Sequence, residues 1–166
     1  KLNQCFYFNM KSSIKKKKEK SLTDSSARYF YTTQVSQFPY DQNPKNKFKG
    51  IIHYLTEKFK GNVSDKNIVN ISSSSMYMAS SCPKNAVDFD SIRYFASNNE
   101  EDAWILYDFK DRKVQPSHYT LRSRNDCRKG GNHLRKWCIE GSNDLRNWVT
   151  LDVRKKEKSL DDADAS

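Results

Sequence analysis

The sequence predicts an all-β sandwich preceded by one short α-helix. Three observations lead there. Short segments rich in β-branched and aromatic residues recur through residues 67–153, separated by polar connections. A single stretch before them carries helical periodicity instead. The composition then limits the size of the core: only 36% of the 166 residues are hydrophobic, yet 9 Tyr, 9 Phe and 3 Trp supply large side chains. A small aromatic core can therefore form in part of the chain.

Residues 1–45 read as a basic, poorly ordered arm. Residues 1–47 hold 10 Lys/Arg and 3 Asp/Glu, a net +7 out of the chain's +10. The lysines at 15–18 repel one another in any compact form. The plainest reading is a solvated tether, with a nuclear-import signal or an anionic-surface patch as the alternatives. Within the arm, RYFYTTQV (28–35) has strand character but no evident partner.

The helix follows. Phe48, Ile51, Ile52, Leu55 and Phe59 fall on one helical face, and Gly61 suits the C-terminal cap. Strands are then expected at 67–72, 104–109, 114–123, 136–142 and 147–153. Alternation puts Tyr119, Leu121 and Ser123 on one face of the third of these, and Trp137 and Ile139 on one face of the fourth. Asn143-Asp144 signals the turn between the last two. The tail 154–166 is charged and expected to fray.

Four segments together resemble the factor V/VIII type C, or discoidin-like, domain of the galactose-binding-like superfamily. ISSSSMY (71–77) is similar to the opening strand with its Ser-rich loop. PKNAVDFD (83–90) is similar to the Ala-x-Asp stretch through Ala86 and Asp88. AWILYDF (103–109) matches the Trp-x-x-x-Asp strand through Trp104, Asp108 and Phe109. WCIEGSNDLRNWVTL (137–151) matches the Ile-Glu-x-Ser hairpin through Ile139, Glu140, Ser142, Asn143, Asp144 and Trp148. The helical lead-in is closest to an intracellular protist branch, where the domain follows BTB-like or ankyrin regions.

The resemblance implies a discoidin-like jelly-roll over residues 46–153, with Trp104, Phe109, Trp137, Ile139 and Trp148 as structural core. It also implies a binding module without catalytic residues or a cofactor. Ligands would meet loops at one end: Tyr94 and Phe95 from loop 89–99, and Arg122, Arg124, Arg128, Lys129, His133 and Arg135 in and beside the Arg-rich loop 123–136. Two departures carry consequences. The family's turn Gly is Leu145 here, which costs about 1–2 kcal/mol if that residue is left-handed. The family's closing strands have no match before Ser166, so the sandwich is expected to lack its last strands and expose a sheet edge.

A protein partner is the first expectation. Carbohydrate recognition through Tyr94, Arg122 and His133 is the second. Nucleic-acid or anionic-surface binding through 11–20 and 124–136 is the third, because a diffuse positive balance attracts phosphates without specificity. Enzymatic chemistry has little support: there is no Gly-rich phosphate loop, no His-Glu-x-x-His and no nucleophile elbow. Cys127, His133 and Cys138 lack a fourth ligand for a metal. Asp88 and Asp108 are expected to fix loops rather than to act as a carboxylate pair. The sequons at Asn62 and Asn70 mean little without a secretory route, and no leader is read in KLNQCFYFNM. The four cysteines do not staple the domain, which suggests reduced thiols in the cytoplasm. No run of about 18 apolar residues exists, so no membrane span is expected.

Overall fold

In the computed structural model, residues 3–9, 36–41, 43–89, 92–126, 133–162 and 166 are described. The fold is β-rich. Among the described residues its strands are β1 (Asn3–Asn9), β2 (Asn70–Ser73), β3 (Ala103–Asp108), β4 (Lys136–Ser142) and β5 (Val149–Arg154), and its α-helix is α1 (Ile51–Phe59). All five strands belong to one mixed sheet in the order β2-β3-β1-β4-β5. The pairs β2–β3 and β4–β5 are antiparallel, and β1 joins them by pairing in parallel with both β3 and β4.

The central position of β1 departs from expectation. The sequence places residues 3–9 in the poorly ordered arm, whereas their backbone fills the gap between the two hairpin-like halves. Phe6 sits in register with Ile105 on one side and Ile139 on the other. The rest of the arm up to residue 35, including the strand expected at 28–35, lies outside the described residues.

The alternation of β3 fixes the two faces of the sheet. Ala103, Ile105 and Tyr107 are buried, while Trp104, Leu106 and Asp108 are half-buried on the opposite side. In β4 the same rule buries Trp137 and Ile139. The front face carries the core: Ile105, Tyr107, Phe109, Trp137 and Ile139 cluster with Leu55 of α1, Val63, Val69, Val87 and Leu160. Burial raises the Tyr107 phenol well above its ordinary range.

Helix α1 covers part of this face through Leu55, with Ile51, Ile52 and Phe59 packed alongside. It starts at Ile51, one residue after the N-cap Gly50, so Phe48 is not on the helical stripe. At the other end Lys60, not Gly61, takes the left-handed conformation, with φ 53°. Both N–H groups donate to the Thr56 carbonyl. Gly61 is still favoured, since its φ of 151° is a backbone conformation that residues with a side chain rarely adopt.

Two further expectations are corrected. The segment 114–123 forms no strand. Pro116 removes a ladder donor, and the segment is held by side chains instead. Trp137 Nε1 donates to Tyr119 Oη (3.0 Å), Tyr119 Oη donates to Asp152, and Thr120 Oγ1 donates to the Lys47 carbonyl (2.9 Å). Val114, Tyr119 and Leu121 still pack against the core. The tail does not fray throughout, because Leu160 is an apolar anchor the charge pattern hides. It is buried in the core, and the Glu157 N–H donates to the Arg135 carbonyl (2.9 Å).

Candidate functional site

Residues 88–89, 92–95 and 120–126 meet the chain around α1, and two arginines mark the junction. The Arg124 guanidinium lies 4.1 Å from the Tyr94 ring centroid, within cation–π range. Its Nε and Nη2 also reach both carboxylate oxygens of Asp126, at 2.5 and 2.6 Å. This fork holds the Asp126 carboxyl below its ordinary value. Two residues earlier, Arg122 stacks 5.1 Å from the Phe48 ring, and its Nη2 donates to the Phe89 carbonyl (3.2 Å). The Phe89 ring meets His53 of α1 edge-on at 5.1 Å.

The loop carrying Tyr94 is fixed from behind. Asn85, only 4% exposed, donates through Nδ2 to the carbonyls of Ser80 (2.7 Å) and Tyr94 (3.0 Å). The Ser-rich stretch serves the same purpose. Ser74 and Ser75 hydroxyls donate to Glu100 Oε1 at 2.7 and 2.6 Å, which lowers the Glu100 pKa, and Ser75 Oγ accepts from the Asn98 N–H (3.0 Å). Asp88 accepts from Asn62 Nδ2 (2.6 Å), and Asp108 accepts from the Lys110 N–H (2.8 Å). Both carboxylates bind loops, as the sequence suggested, and Asn62 is engaged by this contact.

The expected site residues therefore divide. Tyr94, Arg122 and Arg124 come together. Phe95 turns inward and packs against the core. His133 is only 6% exposed and belongs to the interior. Arg135 pairs with Asp161 of the tail at 2.5 Å. Arg128 and Lys129 lie outside the described residues, as does Cys127 of the metal set considered above. Among the described residues, no group of three His, Cys, Asp or Glu side chains could hold a metal ion.

Sequence reasoning missed Phe48, Phe89 and Asp126. Phe48 has the helical spacing that hides its true position. Asp126 is visible only as the acid two residues from Arg124. A wide cleft of about 3560 Å3 runs between the covering loops and the sheet, past Tyr94, Arg122 and Arg124. That is several times the roughly 300–1,000 Å3 of a small-molecule pocket, so it is a seam rather than a ligand cavity.

Trp104 and Trp148 are not part of the front core, contrary to expectation. Trp104 alternates with buried neighbours and so falls on the back face, and Trp148 joins it from the β4–β5 connection. Both are half-buried and line a separate small cleft with Leu106, Glu140 and Leu145. Phe109, Trp137 and Ile139 are buried in the front core.

The β4–β5 turn is tightly specified. Leu145 is left-handed at φ 60°, the case for which a strain of about 1–2 kcal/mol is expected. Ser142 Oγ accepts from the Leu145 N–H (2.9 Å) and donates to Asp144 Oδ1 (3.0 Å). Asp144 also accepts from the N–H groups of Arg146 (2.9 Å) and Asn147 (2.8 Å). These bonds hold its carboxyl far below the ordinary range.

No family model, no curated protein and no solved structure matches this chain. Among the described residues, no helix is long and apolar enough to cross a membrane.

Proposed function

We propose that the chain is a non-catalytic binding module that recognises a protein partner through the Tyr94–Arg122–Arg124 end. It would act as an adaptor or substrate-selecting element of a larger intracellular, cytoplasmic protein. The observation that carries this reading is the pair of arginines, each stacked on an aromatic ring from a different segment. Tyr and Arg dominate the energetics of protein interfaces, and a guanidinium held in place loses less freedom on binding. Cys82 is in no disulfide, in keeping with a reducing setting. The discoidin-like jelly-roll belongs to the same proposal. In it, the shell containing 114–123 stands where a second layer would face the sheet.

The carbohydrate reading has weaker support. A sugar needs an open aromatic platform. Here the Tyr94 ring carries Arg124, and His133 is buried. For polyanion binding, the described arginines of 124–136 are already matched, Arg124 by Asp126 and Arg135 by Asp161.

A photo-crosslinking residue at Ile92, which is 74% exposed beside Tyr94, tests the proposal. In extracts of the source cells it should yield a discrete protein adduct, and Arg122→Ala/Arg124→Ala should remove it while circular dichroism stays unchanged. An adduct that survives the double substitution sinks this site. Binding on a glycan array would favour the carbohydrate reading instead.

A further inference from the structure

The C-terminal tail is fastened beside the arginine end, and an exposed serine stands in the middle of the fastening. The Glu157 N–H donates to the Arg135 carbonyl (2.9 Å), Leu160 is buried in the core, and Asp161 pairs with the Arg135 guanidinium at 2.5 Å. One residue further on, the Asp162 carbonyl accepts from the Ser123 hydroxyl. Ser123 lies between Arg122 and Arg124, and Arg135 immediately precedes β4. The tail therefore ties the candidate site to the start of that strand.

The serine is Ser159, followed by Leu160, Asp161 and Asp162. A kinase with a basic substrate groove selects a hydroxyl by the carboxylates just after it, because opposite charges steer the chain and fix its register. Of the described hydroxyl residues with a carboxylate three positions on, Ser97 and Ser123 are half-buried and Ser159 is exposed. The surroundings of Ser159 oppose a phosphate. The Ser159 and Lys158 N–H groups donate to Glu157 Oε1 at 3.2 and 3.0 Å, which holds the Glu157 carboxyl below its ordinary value. A phosphoserine carries a charge of about −1.5 to −2 at pH 7. It would compete with Glu157 for the same N–H groups and repel the Asp161 carboxylate. Lys155, Lys156 and Lys158 are exposed and would attract it. The fastening runs instead through Glu157, Leu160 and Asp161, so attraction to those lysines does not restore it.

From these contacts we propose that Ser159 is a phosphorylation site for an acid-directed serine kinase, and that the phosphate releases the tail from Arg135. The step is transfer of the γ-phosphoryl group of ATP. Ser159 Oγ forms the new bond to phosphorus, the bond from that phosphorus to the β–γ bridging oxygen breaks, ADP leaves, and the hydroxyl proton passes to a base of the kinase. Terminal segments held by few contacts open at the least cost, so the kinase meets Ser159 when the tail is open, and the phosphate keeps it open. Release uncovers the Arg135 guanidinium. Successive tail residues hold Arg135 and Ser123, so the uncovered arginine joins Arg122 and Arg124. Its bearing on partner binding rests on the reading of the arginine end given above. The modification and the release do not.

The test treats the full 15N-labelled chain with an acid-directed serine kinase of the casein-kinase type, ATP and Mg2+. Mass spectrometry should place a phosphate on Ser159, and Ser159→Ala should lose it. Amide hydrogen exchange then reads the tail without any partner. The Glu157 and Asp161 N–H groups, bonded to the Arg135 and Lys158 carbonyls, should exchange about tenfold faster after phosphorylation, while the Ile139 amide of β4 stays unchanged. Arg135→Ala removes the partner of Asp161 and leaves the residues around Ser159 intact, so it should be phosphorylated about threefold faster. No phosphate at Ser159, exchange that is unchanged or slower at Glu157 and Asp161, or equal phosphorylation rates for the Arg135→Ala and parent chains overturns the inference. Loss of the Ile92 adduct with faster exchange intact would sink the arginine-end reading alone.

Discussion

The two faces of the sheet are built from the same strands and have opposite fates. Ile105 and Leu106 are neighbours in β3, yet Ile105 is fully buried under the loop shell while Leu106 opens onto the back-face cleft. The tryptophans divide in the same way. Trp137 sits in the front core with its indole N–H bonded to Tyr119, whereas Trp104 and Trp148 stand half-buried on the back. Composition alone does not separate the two sets. What separates them is the cover: α1, the segment around Tyr119 and Leu160 of the tail close the front, and among the described residues the back carries no comparable shell. A hydrophobic side chain stabilises the fold in proportion to the area it removes from water, so the front side chains should contribute more to stability than the half-buried ones on the back.

The largest expected effect tests that contrast directly. Ile105→Ala should cost about 2–5 kcal/mol, as for a buried aliphatic that leaves a cavity, while Leu106→Ala should cost about 1 kcal/mol. Urea denaturation of both variants would measure this, and equal losses would mean that the back face is covered too. A smaller and opposite change is expected at the turn. Leu145→Gly should raise stability by about 0.5–1 kcal/mol, since relief of left-handed strain outweighs the greater freedom of glycine in the unfolded chain. A fall in the urea midpoint would show that the Leu145 side chain contributes more to the cleft than its backbone costs.

The smallest effect is acid sensitivity of the seam between the sheet and the Tyr119 segment. The hydrogen bond from Tyr119, helped by that from Arg154, lowers the Asp152 pKa below its ordinary 3.8. A folded value below the unfolded one means that this contribution is fully present above that value. It is lost as the pH falls through the lowered one. Thermal denaturation from about pH 5 to about pH 2 should show a steady loss, and Asp152→Asn should make the decline shallower. An unchanged slope would mean that the Tyr119–Asp152 contact adds nothing.

Local pattern revealed much of this. The helical spacing of Ile51, Ile52, Leu55 and Phe59 survives in α1, and β4 spans the same residues the alternation indicated. The Asn143-Asp144 turn was legible because Asx residues bond their own backbone. Long-range features were hidden. Strand β1 pairs with partners roughly a hundred or more residues away, and nothing near it in sequence records that pairing. Residues 114–123 alternate like a strand, but side-chain bonds replaced the ladder. Period-two alternation also says that Trp104 and Ile105 face opposite ways without saying which side is covered. At the candidate site, Tyr94 and Arg124 could be named separately from loop composition, but their stacking needed the fold.

The parallel pairing of β1 has a temporal consequence. During synthesis Asn3–Asn9 emerges first, while its two neighbours emerge as residues 103–108 and 136–142. At about 5–20 residues per second, on the order of ten seconds pass before the second partner exists. Until then β1 has at most one of its two neighbours, and its other edge stays open to other chains. Refolding of the finished chain is expected to be slow for the same reason, because closing so long a loop precedes any reward from the contacts it makes.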